Sequence, residues 1–289
     1  MKTTDIPTPT LRVAIQGELG SNSHMAAIQV YSEKSGSLEI VSCALSAEVV
    51  EKLEDGLVDA AVLPIENSLH GSVAEHYDLL LEHNVYVTGE TMLRIHHNVI
   101  AAPGVALAEI RRILSHPVAL SQCRQWLRAH PEIEVVPFYD TAGSVKNLID
   151  KGQRDTAGIA PELAAVHYGA QVLVYGVEDH AENFTRFYVL QRQDFGLLRV
   201  DPDKSAANKM SVAFSLEHRP GSLIEALDAF RRAGLNLIRI ESRPVPGKPW
   251  EYVFFVDLRF ESVAQLHNAM DELAHHCRMV KELGRYTAA

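Results

Sequence analysis

From Leu11 onward, short apolar runs alternate with longer stretches of helical periodicity, and this alternation restricts the chain to sheets flanked by helices. The run Val13-Ala14-Ile15 stops at Gly17 and Gly20, after which 23–31 has helical spacing. Further apolar runs at 38–41, 60–65, 85–87, 98–102 and 134–138 alternate with helical stretches at 47–54, 72–82, 120–129 and 142–151. With 289 residues the chain exceeds the usual size of a single domain, about 100–150 residues, so two domains are expected.

Charge narrows the function classes. A formal net charge of −10 argues against nucleic acid or an anionic membrane surface as partner, because both recruit clustered Lys and Arg. Segment 1–10 lacks the apolar core of a signal peptide, and no window approaches the ~20 apolar residues of a membrane span, so a cytoplasmic protein is expected. Cys43, Cys123 and Cys277 are too far apart for a zinc or redox pair and read as reduced thiols. Adjacent side chains diverge, so His96-His97 and His275-His276 do not form a metal site.

An internal echo bears on architecture: residues 56–66, with Gly56, Asp59 and Glu66, resemble residues 152–162, with Gly152, Asp155 and Glu162. Each follows an amphipathic stretch. Duplication of a helix-turn-strand unit suggests two similar lobes, with ligand held at the carboxyl ends of strands; chance similarity of such units is the alternative. The polar stretch 201–209 has the composition of a linker, and beyond it runs at 211–216, 236–242, 251–258 and 278–283 enclose helical stretches at 222–233 and 263–275. That order is β-α-β-β-α-β, the ferredoxin-like unit.

Three segments carry chemistry. In Leu63-Pro64-Ile65-Glu66-Asn67-Ser68, followed by Gly71-Ser72-Val73, a buried strand ends in polar residues. Asn67, Ser68 and Ser72 there offer donors to an anion, or else Ser68 or Ser72 simply caps a helix. The turn Gly17-Glu18-Leu19-Gly20-Ser21-Asn22-Ser23 lacks the glycine spacing of a dinucleotide site but suits a carboxylate cradle, with helix capping as the plain alternative. In Asn183-Phe184-Thr185-Arg186-Phe187-Tyr188, strand alternation puts Phe184, Arg186 and Tyr188 on one face and Thr185 and Phe187 on the other.

Taken in order, these segments resemble the prephenate dehydratase family from about residue 11 to 286. The resemblance rests on the Gly17–Ser23 turn, on Pro64-Ile65-Glu66-Asn67-Ser68 with Gly71-Ser72-Val73, on Ser115-His116-Pro117 with Gln122-Cys123, and on Asn183-Phe184-Thr185-Arg186-Phe187. Beyond the linker, Arg219-Pro220-Gly221-Ser222-Leu223, Asn236-Leu237 and Glu241-Ser242-Arg243-Pro244 resemble an ACT regulatory domain. The chain departs from the family pattern at Asn22, where an aromatic residue is usual, at Glu18-Leu19, where Pro-Glu is common, and at Ser222, where alanine is usual.

The resemblance implies an α/β fold: a two-lobed, periplasmic-binding-protein-like catalytic domain with open mixed sheets, and a ferredoxin-like ACT domain. The expected boundaries are 11–192 for the catalytic domain, with lobe one at about 11–92 plus 176–192 and lobe two at about 93–175, then a linker at 193–208 and the ACT domain at 209–286. It also implies a carbon-oxygen lyase that converts prephenate to phenylpyruvate in phenylalanine biosynthesis, without metal or organic cofactor. An arogenate dehydratase or a non-catalytic small-molecule sensor is the alternative.

Regaining aromaticity drives that reaction, so the enzyme must help the ring hydroxyl leave and place the substrate. The resemblance makes Thr185 essential, and its hydroxyl is assigned to the departing group, with Glu66 or a water as ultimate proton donor. Ser21, Ser23, Asn67, Ser68, Thr141, Arg186 and Phe187 are the expected substrate contacts, although alternation turns Arg186 away from Thr185 and suits it to bracing through a protein carboxylate. L-phenylalanine is the expected effector, bound by Gly221, Ser222, Leu223, Asn236, Leu237, Glu241, Ser242, Arg243 and Pro244 between ACT domains of a homodimer or homotetramer.

Overall fold

The computed structural model describes residues 10–32, 37–192, 207–245 and 247–289; most of the expected linker, 193–206, lies outside the described residues. The chain divides into two compact units, Met1–Ser72 with Thr91–Phe187, and Val73–Glu90 with Tyr188–Ala289.

The elements begin with β1 (Leu11–Gln16), α1 (Asn22–Tyr31), β2 (Leu38–Cys43), α2 (Ser46–Glu54), β3 (Ala60–Asn67) and β4 (Gly71–Ser72). Next come α3 (Ala74–Glu82), β5 (Val85–Arg94), β6 (Asn98–Ala101), β7 (Arg112–Ser115), α4 (Pro117–Ser121) and α5 (Arg124–Arg128). Then follow β8 (Glu134–Pro137), α6 (Thr141–Asp150), β9 (Thr156–Ala160), α7 (Glu162–Tyr168), β10 (Gln171–Val174) and β11 (Phe184–Arg192). One sheet has the order β2-β1-β3-β11-β5, with β4 paired to β3; another has the order β10-β6-β9-β7-β8.

The two sheets repeat one plan. In the first, β1 pairs in parallel with β2 and β3; in the second, β7 pairs in parallel with β8 and β9. The apolar runs fill the sheet centres because strands covered on both faces have no polar side. Val13, Ala14, Ile15, Ala60, Ala61 and Val62 are fully buried, as are Val99, Ile113, Ala157 and Ile159. The echoed aspartates occupy equivalent places: Asp59 pairs with Arg12 at 3.3 Å and Asp155 with Arg112 at 3.2 Å.

Two helical stretches differ from the sequence reading. The expected helix at 120–129 is two short ones, because Pro117 starts α4 early and Asp179 caps a new start by accepting from the N–H groups of Arg124 and Gln125 at 3.0 and 2.9 Å. The helix expected from residue 72 begins at Ala74, since Gly71 and Ser72 pair antiparallel with Asn67 and Glu66. Ser72 is therefore a strand residue, and Val73 stands at the N-cap position of α3.

In the second unit the chain runs β12 (Lys209–Leu216), α8 (Ser222–Arg232), β13 (Asn236–Pro244), β14 (Tyr252–Arg259), α9 (Val263–His276) and β15 (Cys277–Tyr286). This is the expected β-α-β-β-α-β unit, with sheet order β13-β14-β12-β15. β15 is longer than the expected 278–283 because it pairs with β12 along its whole length. Phe214, Phe230, Val256, Leu258, Leu266 and Leu273 form the core between sheet and helices, each large side chain contributing about 1.5–3 kcal/mol by leaving water. On the other face Asp257 is 2% exposed and accepts hydrogen bonds from Tyr188 and Ser211 at 2.9 and 2.6 Å, so the buried carboxylate is satisfied.

Candidate active site

β3 ends at the corner where β4 turns back on it, and Asn67 sits at that corner. Its carbonyl oxygen accepts from the backbone N–H groups of Leu69 and His70, both at 3.0 Å, which fixes the amide's orientation. Its Nδ2 group must then point toward β11, where it meets Asn183 Oδ1 at 2.8 Å, Thr185 Oγ1 at 3.0 Å and the Phe184 carbonyl at 3.1 Å. Ser68 binds the same strand: its N–H donates to the Phe184 carbonyl at 2.8 Å, and its hydroxyl lies 3.0 Å from the Phe184 N–H.

This arrangement decides what Thr185 can do. Among the described residues its hydroxyl oxygen has one side-chain partner, the Asn67 amide, which is a donor. The threonine's own proton is thereby left for another acceptor. Among the described residues no carboxylate or imidazole is bonded to Oγ1, so the hydroxyl is arranged to donate and has no base there to make it a nucleophile.

The network continues inward. Asn183, fully buried, donates through Nδ2 to Gln122 Oε1 at 3.0 Å, and His97 Nε2 reaches the same oxygen at 2.7 Å. Gln122 Nε2 faces His70 Nδ1 at 3.0 Å, and His70 Nε2 faces Ser121 Oγ at 3.0 Å, whose hydroxyl donates to the Val118 carbonyl at 2.7 Å. Since an amide nitrogen only donates, His70 carries its proton on Nε2, and each of these contacts sets a donor against an acceptor.

On the opposite face of β11, Arg186 pairs with Glu66 at 2.9 Å. The Arg186 side chain is 12% exposed and Glu66 36%, so this ion pair braces β3 against β11 from a half-buried position. Strand alternation places Arg186 as expected, away from Thr185, with Phe187 buried beyond it at 1% exposure.

The turn after β1 faces the second sheet's helices. Ser21 caps α1, accepting from the His24 N–H at 3.4 Å, and Ser21 and Ser23 are both buried. Gly20 adopts φ +87°, and a Cβ there would lie 2.7 Å from the Ala164 Cα in α7, so only glycine permits the close approach. Glu18 reaches across to α6: it accepts from Tyr139 at 2.8 Å and from Lys146 at 2.9 Å. Asp140 caps α6, accepting from the Gly143 N–H at 2.7 Å, and burial raises its carboxyl above the ordinary range. Thr141 is the first residue of that helix, half-buried beside this contact.

Apart from Phe187, which is buried in the core, the expected site residues fall into three groups. Asn67, Ser68 and Thr185 converge; Glu66 and Arg186 pair on the other face of the strands; Ser21, Ser23 and Thr141 lie at the turn and the start of α6. Sequence reading passed over Gln122, Asn183, His70 and His97 as site residues. Gln122 and Asn183 stand in quoted motifs, but nothing local signals that their amides meet. Glu18 reads in sequence only as a departure from the family pattern, and nothing local signals its partners Tyr139 and Lys146. No cluster of His, Cys, Asp and Glu suited to a metal occurs among the described residues.

The expected effector residues occupy two ends of the ACT unit. Gly221 adopts φ +87° and starts α8, with Ser222 and Leu223 next; Asn236 and Leu237 open the edge strand β13, and Glu241, Ser242, Arg243 and Pro244 close it. Leu237 and Glu241 stand four positions apart, roughly 13 Å along the strand, so one small ligand does not reach all of these residues in one chain. Arg243 makes a bidentate pair with Asp78 of α3, at 3.2 and 2.6 Å, and Arg239 bonds Glu241 at 3.1 Å.

Residues 13–195 match the family model for prephenate dehydratase, and residues 210–267 match that for the ACT domain. The chain is 38% identical to arogenate dehydratase/prephenate dehydratase 2, chloroplastic, of Arabidopsis thaliana, over 96% of this chain and 72% of the relative. It superposes with a TM-score of 0.86 on a prephenate dehydratase in complex with L-Phe from Arthrobacter aurescens, at 31% identity, covering 96% of this chain and 90% of that one. A protein described as GqqA, a novel type of quorum quenching acylase, is similar too, with a TM-score of 0.85 and 31% identity over 96% of this chain and 98% of that one.

Proposed function

This chain belongs to the prephenate dehydratase family, with an ACT domain at its C-terminal end, and on that premise we propose how its residues carry the reaction. The activity is decarboxylating dehydration of prephenate to phenylpyruvate, a carbon-oxygen lyase reaction. The observation that carries the assignment of roles is the hydrogen bond from Asn67 Nδ2 to Thr185 Oγ1 at 3.0 Å.

With its oxygen occupied by a donor, Thr185 presents its proton to the ring hydroxyl of bound prephenate. That hydrogen bond strengthens as the carbon–oxygen bond breaks and negative charge gathers on the leaving oxygen. The ring carboxylate departs as CO2 and its electron pair completes the aromatic ring, while the hydroxyl leaves as water. Thr185 is a weak acid, so the additional proton comes from solvent, and Glu66, held by Arg186, acts as a brace. The Ser21 and Ser23 turn, with Thr141, receives the pyruvyl carboxylate, which stays, while Ser68 holds the Thr185 strand in place; a tight grip on the ring carboxylate would oppose its loss.

The similar acylase invites a hydrolytic reading, but the bonding of Thr185 favours dehydration. An acyl-transfer nucleophile needs a base on its hydroxyl, and the partner here is an amide N–H. Arogenate, whose side chain carries an ammonium in place of the keto group, is the rival substrate and appears in the name of the plant relative. Parallel assays of phenylpyruvate from prephenate and phenylalanine from arogenate test the assignment; a strong preference for arogenate overturns it.

The regulatory reading extends to L-phenylalanine, with which the Arthrobacter protein is complexed. Because the effector residues lie at opposite ends of β13, a site using all of them takes one end from each of two chains, which supports a dimer or tetramer through the ACT domains. The proposed boundaries are 11–192 for the catalytic domain, its lobes dividing near 92 and 176, and 209–286 for the ACT domain. No helix among the described residues is long and apolar enough to cross a membrane, in keeping with the proposed cytoplasmic location.

A further inference from the structure

Building on the assignment of Thr185, we infer that His97 is a positioning residue for the dehydration, setting the direction in which the buried amides of Gln122, Asn183 and Asn67 present their donors. His97 lies just before β6, is 2% exposed, and holds its backbone N–H against Glu178 Oε2 at 2.9 Å. Its Nε2 meets Gln122 Oε1 at 2.7 Å. A carbonyl oxygen only accepts, so Nε2 bears the proton and Nδ1 is bare. Nδ1, also buried, has no hydrogen-bond partner among the described residues. A buried acceptor left without a partner is rare, and here it accompanies a ring held in one tautomer by its other nitrogen. Burial also lowers the His97 pKa, which keeps the ring neutral.

The consequences of the opposite tautomer show what this proton controls. A bare Nε2 would face a carbonyl oxygen, and Gln122 would turn its amide to offer Nε2 instead. That group would then confront Asn183 Nδ2, donor against donor. Asn183 would turn in response and aim its own NH2 at Asn67 Nδ2, now 2.8 Å from Asn183 Oδ1. Asn67 has no such freedom, because Leu69 and His70 donate to its carbonyl. The conflict would end at the amide that fills the Thr185 lone pair. His97 at one end and the backbone at 69–70 at the other thus fix one polarity for the chain, the one in which Thr185 keeps its proton for substrate.

The test compares His97→Leu, which removes the donor, with His97→Gln, which restores an N–H. His97→Leu is expected to lower kcat about tenfold to hundredfold with KM changed less than about threefold, and His97→Gln to recover most of the loss. Undiminished turnover in His97→Leu, or equal losses in both variants, overturns the inference. A second measurement does not depend on activity: 15N NMR of histidine-labelled wild-type protein, with His97 assigned by its absence from the His97→Gln spectrum. An Nε2-protonated neutral ring is expected, and an Nδ1-protonated ring overturns the inference even if His97→Leu fails to fold. Full turnover in Thr185→Val sinks the dehydratase roles and leaves the tautomer result standing, so the two failures are distinguishable.

Discussion

Asn67 donates to Thr185 from across two strands, 118 positions apart in sequence, and its amide cannot turn because Leu69 and His70 hold its other end. A hydroxyl whose oxygen is already occupied by a donor is a hydrogen-bond donor by constraint, and the reactivity expected of this enzyme follows from that constraint.

Thr185→Val removes the donor while keeping shape, and kcat is expected to fall about 10²–10⁴-fold, the range typical of a lost proton-transfer group. Thr185→Ser keeps the hydroxyl and should retain most of the activity. Steady-state kinetics on prephenate check both; a Val variant with wild-type turnover removes the threonine from the mechanism.

Glu66 separates the acid and brace readings. If it only braces, Glu66→Gln weakens a half-buried ion pair with Arg186, lowering stability by roughly 1–3 kcal/mol and leaving the pH dependence of kcat unchanged. Disappearance of a limb from the pH–rate profile in Glu66→Gln would instead make it the acid. Thermal unfolding and a pH series of initial rates measure the two effects together.

Much of this was legible, for physical reasons. The Asp59 and Asp155 echo marked two sheets of one plan because each aspartate stands just before the strand of the same helix-turn-strand unit and pairs with the arginine of the neighbouring strand, Arg12 or Arg112. The divergence of Thr185 and Arg186 follows from the two-residue period of a strand. What could not be read is long-range side-chain pairing. Glu18 finds Lys146 128 positions away, and Asn183 finds Gln122 61 positions away. No local period records such meetings, since packing of the whole unit sets them. The split of the expected helix at 120–129 was hidden in the same way, because its cause, Asp179, lies far along the chain.

The Glu18 contacts hold the turn after β1 against α6, and this clasp should act on substrate capture. Glu18→Ala or Lys146→Ala is expected to raise KM about two- to fivefold with kcat little changed, as suits a partly exposed pair worth less than about 1 kcal/mol. Lys146 contributes only through Glu18 in this view, so the double variant should cost no more than Glu18→Ala alone. Fully additive effects would mean that the two side chains act separately.

Arg243 closes the edge strand of the ACT unit while paired with Asp78 of α3, and α3 follows two residues after the β4 corner at Gly71–Ser72. Asp78→Asn is therefore expected to leave uninhibited turnover within about twofold of wild type and to shift the L-phenylalanine response by about fivefold or more, the scale of ordinary allosteric coupling. Calorimetry and turnover across a phenylalanine titration check this. A response identical to wild type would disconnect that ion pair from regulation.

Acid should weaken this fold earlier than its carboxylates alone would. Burial lowers the pKa of His97, His24 and His116 below the ordinary 6.5, with His167 adding to the effect at His24. For a base whose folded pKa is depressed, the unfolded chain takes up a proton that the folded site refuses, so stability is complete above 6.5 and declines as pH falls below it. Denaturant unfolding between pH 7.5 and about 5 should show that decline, and His97→Gln, which has nothing to protonate there, should flatten part of it. His24 and His116 stay in place in that variant, so the slope shrinks without vanishing. A slope unchanged by the substitution would mean that His97 is protonated as readily in the folded protein as in the unfolded chain, contrary to its burial beside Gln122.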